Sequence, residues 1–198
     1  TSWDEAIDLV SSKIKETNPE TFAGHVGDMS SLETIYSFKN LIEGFGSNNY
    51  DFREKHFNIN EKNKINYIFN TSINKIEESD LIVLIGTNPR VEATILNARI
   101  RKTFLSKQIP IFSIGSPGDL TYDYKVIGNT TEDVKKIVEG SSEITPILQK
   151  SKRPIIIIGE SALSKKSGKF ILESMKKFLI NNNFINNEWN ALNILFKN

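Results

Sequence analysis

The 198 residues, 38% hydrophobic and 25% charged, have the profile of an ordinary globular chain, long enough for one large core or two small ones. Lys and Arg number 25 against 24 Asp and Glu, a net charge of +1, so no basic excess marks nucleic acid or an anionic membrane as partner. Cysteine is absent, which excludes disulfides, cysteine-held iron–sulfur clusters and thiol nucleophiles within these residues.

The opening Thr1-Ser2-Trp3-Asp4 has neither an initiator Met nor the charged and apolar regions of a signal peptide, and the chain reads as cut at both ends. Ser2 and Glu5 have the spacing of a capping box. Trp3, Ala6, Ile7, Val10 and Ile14 then mark one face of an amphipathic helix that Asn18-Pro19 stops. A short strand is expected over 22–26. A second capping box at Ser30 and Glu33 predicts a helix burying Leu32, Ile35, Phe38, Ile42 and Phe45, with Gly44 and Gly46 at its end. From 47 to 66 the pattern breaks into Asn, charge and isolated aromatics, which predicts an irregular surface segment.

The clearest unit starts at Asp80. Leu81-Ile82-Val83-Leu84-Ile85 is a buried strand, Gly86-Thr87-Asn88-Pro89 a tight turn, and Asn88 caps a helix with Pro89 in its first position. Ala93, Leu96, Ile100 and Phe104 recur at helical spacing, and a second strand at 111–114 completes a βαβ unit. Thr130 or Thr131, with Glu132 and Asp133, starts a short helix that Gly140 ends. A third strand runs 154–159, and Ile171, Met175, Phe178 and Leu179 lie on a last helix that ends at Asn181-Asn182-Asn183. This alternation predicts an open, mostly parallel α/β sheet flanked by helices. The predicted division is 1–140, a linker at 141–153, and a second sublobe of the same domain at 154–198. Neither apolar run, 81–85 nor 155–158, approaches the roughly 20 residues that span a bilayer, so no direct membrane insertion is expected.

In such sheets ligands bind beyond the carboxyl ends of the strands, where Gly86-Thr87-Asn88-Pro89 and Gly115-Ser116-Pro117-Gly118-Asp119 fall. Gly86 could let backbone approach a phosphate, with the helix at Pro89 offering N–H groups. Equally, any strand-to-helix turn uses Gly, Asn and Pro for dihedral and capping reasons, and that reading outweighs the first. No G-x-G-x-x-G and no P-loop are present, and Gly159-Glu160-Ser161 lacks the second glycine of a nucleophile elbow. Of the two histidines, His25 falls in a strand. His56 lies among Asp51 and Glu54, too few ligands for a metal site. No catalytic and no metal residue is assigned.

The segments Tyr67-Ile68-Phe69-Asn70-Thr71, Ile76-Glu77-Glu78-Ser79-Asp80, Gly86-Thr87-Asn88-Pro89-Arg90 and Asn97-Ala98-Arg99-Ile100-Arg101-Lys102 resemble the large iron–sulfur subunits of respiratory complex I, the NADH-quinone oxidoreductases. The resemblance continues through Asp119-Leu120-Thr121-Tyr122-Asp123-Tyr124, Lys152-Arg153-Pro154 and Gly159-Glu160-Ser161-Ala162-Leu163. The opening Ser2-Trp3-Asp4-Glu5-Ala6 is shared with molybdopterin oxidoreductases at large. It implies a truncated fold of the formate dehydrogenase and DMSO reductase type. In catalytic relatives the loop matching 49–57 carries the molybdenum ligand; here no thiolate is present, and Asp51 stands too early in the loop. Relatives also carry an Asp-Pro pair after the second strand, to hold a ribose, where this sequence has Gly115-Ser116-Pro117.

The resemblance therefore implies a non-catalytic scaffold segment in the peripheral arm, with Gly86, Thr87, Asn88 and Pro89 as vestigial cofactor-binding residues and no cofactor in the segment itself. The parent's [2Fe–2S] and [4Fe–4S] clusters would lie in a Cys-rich region outside it. Partners would be other peripheral-arm subunits, with no nucleic acid. The location would be the cytoplasmic face of a bacterial inner membrane or the mitochondrial matrix side. The alternative is a fragment of an active molybdopterin-dependent oxidoreductase.

Overall fold

The computed structural model describes residues 2–27, 29–51, 57, 59–60 and 62–196. Contacts divide the chain into Thr1–His56 and Phe57–Asn198.

The first unit holds α1 (Trp3–Glu16), β1 (Gly24–His25), α2 (Leu32–Gly44) and β2 (Tyr50–Asp51). The capping box of α1 forms as read: Glu5 N–H donates to Ser2 Oγ (3.2 Å) and Ser2 N–H to Glu5 Oε2 (2.9 Å). Its apolar face, however, is uncovered. No α1 residue is buried, and Trp3 is 84% exposed, with Ile7 and Val10 also exposed. The cap of α2 is Ser31 instead of Ser30, because Ser31 Oγ accepts from Thr34 N–H (3.2 Å) and is hydrogen-bonded to the Thr34 hydroxyl (3.0 Å). On α2 only Ile42 is buried, and the predicted inward Leu32 is exposed. The strand expected over 22–26 shrinks to two residues. β1 pairs with β2 in parallel, Gly24 opposite Tyr50 and His25 opposite Asp51, and a Cβ on Gly24 would meet Phe38 and Ile42 of α2 within 3 Å.

The second unit is a five-stranded parallel sheet of β3 (Leu81–Ile85), β4 (Ile111–Ile114), β5 (Lys125–Gly128), β6 (Pro154–Gly159) and β7 (Leu192–Leu195), in the order β5-β4-β3-β6-β7. Sequence order runs outward from β3 to β5, then restarts at β6 on the other side of β3. The topological switch point therefore lies between β3 and β6. Both central strands are buried throughout, as runs of Leu, Ile and Val covered on two faces must be. Flanking them are α3 (Pro89–Glu92), α4 (Thr94–Lys107), α5 (Thr131–Glu139), α6 (Thr145–Lys150), α7 (Glu160–Leu163) and α8 (Gly168–Asn181). Ile171, Met175, Phe178 and Leu179 of α8 are all buried, as their spacing predicts.

Three local expectations change. The helix read through Ala93 is broken there, Ala93 having a non-helical backbone (φ −154°, ψ 76°) between α3 and α4. Because α4 runs on to Lys107, Arg99, Arg101 and Lys102 sit mid-helix instead of at its negative end. The stretch 141–153, read as a linker, carries α6 with Ile144 and Leu148 fully buried, and the β6 that follows pairs with β3 in one sheet.

Candidate functional site

The carboxyl ends of β3, β4 and β6 bring together the loops read as candidates. Gly86 takes the left-handed backbone region (φ 58°), and a Cβ there would lie 2.8 Å from Ala162 Cβ and 2.9 Å from Ser161 Oγ. From the other side, a Cβ on Gly159 would strike the Gly86 carbonyl oxygen and lie 2.6 Å from Thr87 Cβ. Ser161 Oγ donates to that same carbonyl. At the switch point, the space that glycine opens is thus filled by the chain's own α7 and Thr87.

Asn88 caps α3 as its position predicts, its Oδ1 accepting from Arg90 N–H (3.1 Å) and Val91 N–H (3.3 Å). Glu92 N–H goes to the Asn88 carbonyl (2.9 Å). The N–H groups that could have met a phosphate are therefore taken. Asn88 Nδ2 donates across to the Pro117 carbonyl (2.7 Å), and Arg90 Nη1 to Asp119, at its carbonyl (2.9 Å) and Oδ2 (2.5 Å). Asp119 Oδ1 accepts from Thr121 N–H (2.8 Å). This backbone bond, and Arg90 after it, hold its carboxyl below the usual range. Both of its carboxylate oxygens are engaged.

Among the described residues, two small cavities lie above the strands. One, about 230 Å³, is lined by Thr87, Asn88, Glu92, Ser116, Pro117 and Ser161; among the described residues Glu92 is its one charged lining group. The other, about 130 Å³, includes Thr130, Thr131, Ser161 and Lys165. There Asp133 Oδ2 accepts from Asn129 N–H, Thr130 N–H and Thr130 Oγ1, capping α5. Each is smaller than the roughly 300 to 1,000 Å³ of a typical ligand pocket. A separate apolar groove of about 370 Å³ lies among Phe69, Ile73, Ala93, Leu96 and Leu195.

A pterin cofactor of the kind that the resemblance to molybdopterin oxidoreductases points to fits this arrangement poorly. Its phosphates would meet the Glu92 carboxylate and a helix end already capped, and the cavities that Gly86 and Gly115 line measure only about 230 and 130 Å³. His56 and Glu54 lie outside the described residues; Asp51 is exposed in β2, and His25 is exposed in β1. Among the described residues, no group of three or more metal-ligating side chains gathers, and no helix is long and apolar enough to cross a membrane.

Sequence reading missed the hydrogen-bonded ties among the segments that carry the resemblance. Buried Asn97 donates from Nδ2 to the Leu120 carbonyl (3.1 Å) and accepts from Tyr122 OH (2.9 Å), while Tyr124 OH donates to the Gly118 carbonyl (2.7 Å). At the opposite end of the sheet, Glu77 accepts from Arg99 and from Lys102 (2.9 Å), and Arg153 pairs with Glu78. Asp80 accepts from Ser151 Oγ and from Lys152 and Arg153 N–H (2.7 and 3.1 Å). Thr71 N–H donates to Asn193 Oδ1 (2.7 Å), Asn193 Nδ2 to Thr71 Oγ1 (3.0 Å), and Asn70 Nδ2 to the Leu192 carbonyl (2.7 Å), which together pin β7.

A parallel sheet with this switch point and these loops defines the class, and the sequence model of the molybdopterin oxidoreductase family matches residues 1–198; the chain belongs to that family. It is similar to the NADH-ubiquinone oxidoreductase 75 kDa subunit of Reclinomonas americana, 36% identical over 208 residues, covering 98% of this chain and 30% of the relative. It is also similar to an NADH-quinone oxidoreductase subunit of Rickettsia conorii, 33% identical over 194 residues (98% and 29%). The mitochondrial NADH dehydrogenase [ubiquinone] iron-sulfur protein 1 of Solanum tuberosum is 32% identical over 197 residues (100% and 27%). The chain thus spans less than a third of the length of these curated relatives.

Proposed function

We propose that the chain is a scaffold segment, without chemistry of its own, of the large iron–sulfur subunit of a proton-pumping NADH-quinone oxidoreductase. In this reading it braces the cluster-bearing part of the subunit, which lies outside these residues, and contacts other subunits of the peripheral arm. That arm faces the cytoplasm in a bacterium or the matrix in a mitochondrion. The observation that carries it is the state of the loop after β3. Gly86 packs on α7, Asn88 caps its own helix, and Arg90 reaches across to Asp119, so each group that could hold a dinucleotide serves an internal contact instead. Exposed Val91 and Ile95 near the apolar groove, and Trp3, Ile7 and Val10 on α1, fit surfaces covered by neighbouring protein.

The alternative, a fragment of an active molybdopterin enzyme, draws on the same loop at the switch point of the sheet. Elemental analysis for molybdenum and fluorescence of the oxidised pterin, on the assembled complex, separate the two. The scaffold reading expects neither at stoichiometric level; one molybdenum and one pterin per subunit would replace it with the alternative.

A further inference from the structure

We infer that the 230 Å³ cavity beyond β3 and β4 takes a cationic group, a guanidinium or ammonium, in place of the anion its position in the fold suggests. The Glu92 carboxylate is its one charged lining group among the described residues. Among those residues Glu92 has no ion-pair partner. Its hydrogen-bond donor is the Thr87 hydroxyl, to Oε2 at 2.6 Å, which leaves Oε1 with acceptor capacity.

Four of the neighbouring donors are already engaged. Asn88 Nδ2 binds the Pro117 carbonyl, Ser161 Oγ the Gly86 carbonyl, Gly86 N–H the Ile114 carbonyl and Gly115 N–H the Gly128 carbonyl. The nearest arginine in sequence, Arg90, is held by Asp119. Lys165 lines the adjoining 130 Å³ cavity and not this one. A small recess whose one charged lining group among the described residues is a carboxylate with spare lone pairs attracts positive charge and repels phosphate. The sign of the ligand's charge stands on this geometry alone. Its source, the head of a Lys or Arg side chain from a neighbouring polypeptide, rests on the scaffold reading.

Titrating the ¹⁵N-labelled chain with methylguanidinium chloride, at constant ionic strength, tests the sign. Saturable amide shifts confined to Gly86, Thr87, Glu92 and Ser116 are expected, weakened about tenfold or more by E92Q, with inorganic pyrophosphate giving no saturable shift there. Saturable pyrophosphate shifts without methylguanidinium shifts would overturn the inference. If E92Q fails to give a folded spectrum, T87V decides. It keeps the carboxylate and removes its donor, so it should bind methylguanidinium at least as tightly, and loss of binding would refute the role of Glu92. A second arm tests the source. Carbodiimide coupling of glycine ester should label Glu92 in the free chain and leave it protected in the assembled complex. Equal labelling in both rejects a side chain from a neighbour while leaving the charge preference intact.

Discussion

Replacing Gly159 with Ala tests the closure of the switch point directly. Gly159 has an ordinary extended backbone (φ −89°, ψ 165°), so the substitution adds no dihedral strain and acts only through its methyl group. That methyl would stand against the Gly86 carbonyl oxygen and 2.6 Å from Thr87 Cβ, about 1 Å inside normal carbon–carbon contact. Both obstacles belong to the turn after the central strand and cannot rotate away, so β3 and β6 must part at their ends. Overpacking of this kind costs about 3 kcal/mol, at the upper end of its usual range. For a chain of this size that lowers Tm by roughly 6 to 12 °C. Gly118→Ala is the control, since Gly118 has φ 80° with nothing within 4 Å of the added Cβ; its cost is the left-handed backbone alone, about 1 kcal/mol. In a Trp3→Phe background, Trp189, 6% exposed and donating to the Pro154 carbonyl at 2.8 Å, reports urea unfolding of the second unit alone. A G159A midpoint no lower than that of G118A would refute the close approach of the end of β6 to the Gly86 turn.

Asn97→Ala should lower stability by about 2 to 3 kcal/mol, because it strands the buried Tyr122 hydroxyl and the Leu120 carbonyl, whereas Tyr122→Phe should cost only about 1 kcal/mol; urea midpoints compare them. Burial raises the Tyr122 pKa above its ordinary value near 10, so the neutral phenol's contribution is complete below that pH and declines as pH rises beyond it. Tyr122→Phe should flatten this alkaline decline in a pH series of urea midpoints. Asp133 is shifted the opposite way, down to about 2, first by the Thr130 hydroxyl and then by Lys136. Its contribution is present above about pH 4 and lost as pH falls toward 2, so Asp133→Asn should remove part of the acid-side loss seen by circular dichroism. Ile95→Lys, at a position 71% exposed, should leave the midpoint within about 0.5 kcal/mol while reducing binding of an apolar dye.

The strands legible in the sequence are those buried on both faces. β3, β4 and β6 are short apolar runs flanked by turn residues, and periodicity needs nothing more. β5, Lys-Val-Ile-Gly, is an edge strand with exposed residues and a register shift against β4, and it leaves no such mark. β7 was hidden by Asn193, fully buried in mid-strand. A polar residue there argues against a strand until Thr71, more than a hundred residues away, is seen to satisfy it. The helix faces show the opposite limit. The α1 stripe was legible as amphipathic, yet what covers it is not fixed by period, and Trp3, Ile7 and Val10 lie exposed. At the candidate site, the Asn88 cap and Pro89 position were local and readable. The Asn88–Pro117 and Arg90–Asp119 ties join residues 29 apart and could not be read from spacing.

Those ties bear on what the recognisable motifs are for. Segment 67–71 holds β7; 76–80 meets Arg99, Lys102 and the 151–153 turn; 86–90 and 97–102 hold 117–122. Sequence motifs around a ligand converge on an unfilled space, and their side chains point at something the chain does not supply. Here they converge on one another, at both ends of one sheet, and satisfy one another's polar groups. A network of this kind ties the ends of β3, β6 and β7 and sets the position of the 117–122 loop above them. Glu92 departs from this pattern. Its carboxylate has an acceptor to spare in a recess that the rest of the network leaves open, and there a partner of opposite charge would complete the pattern.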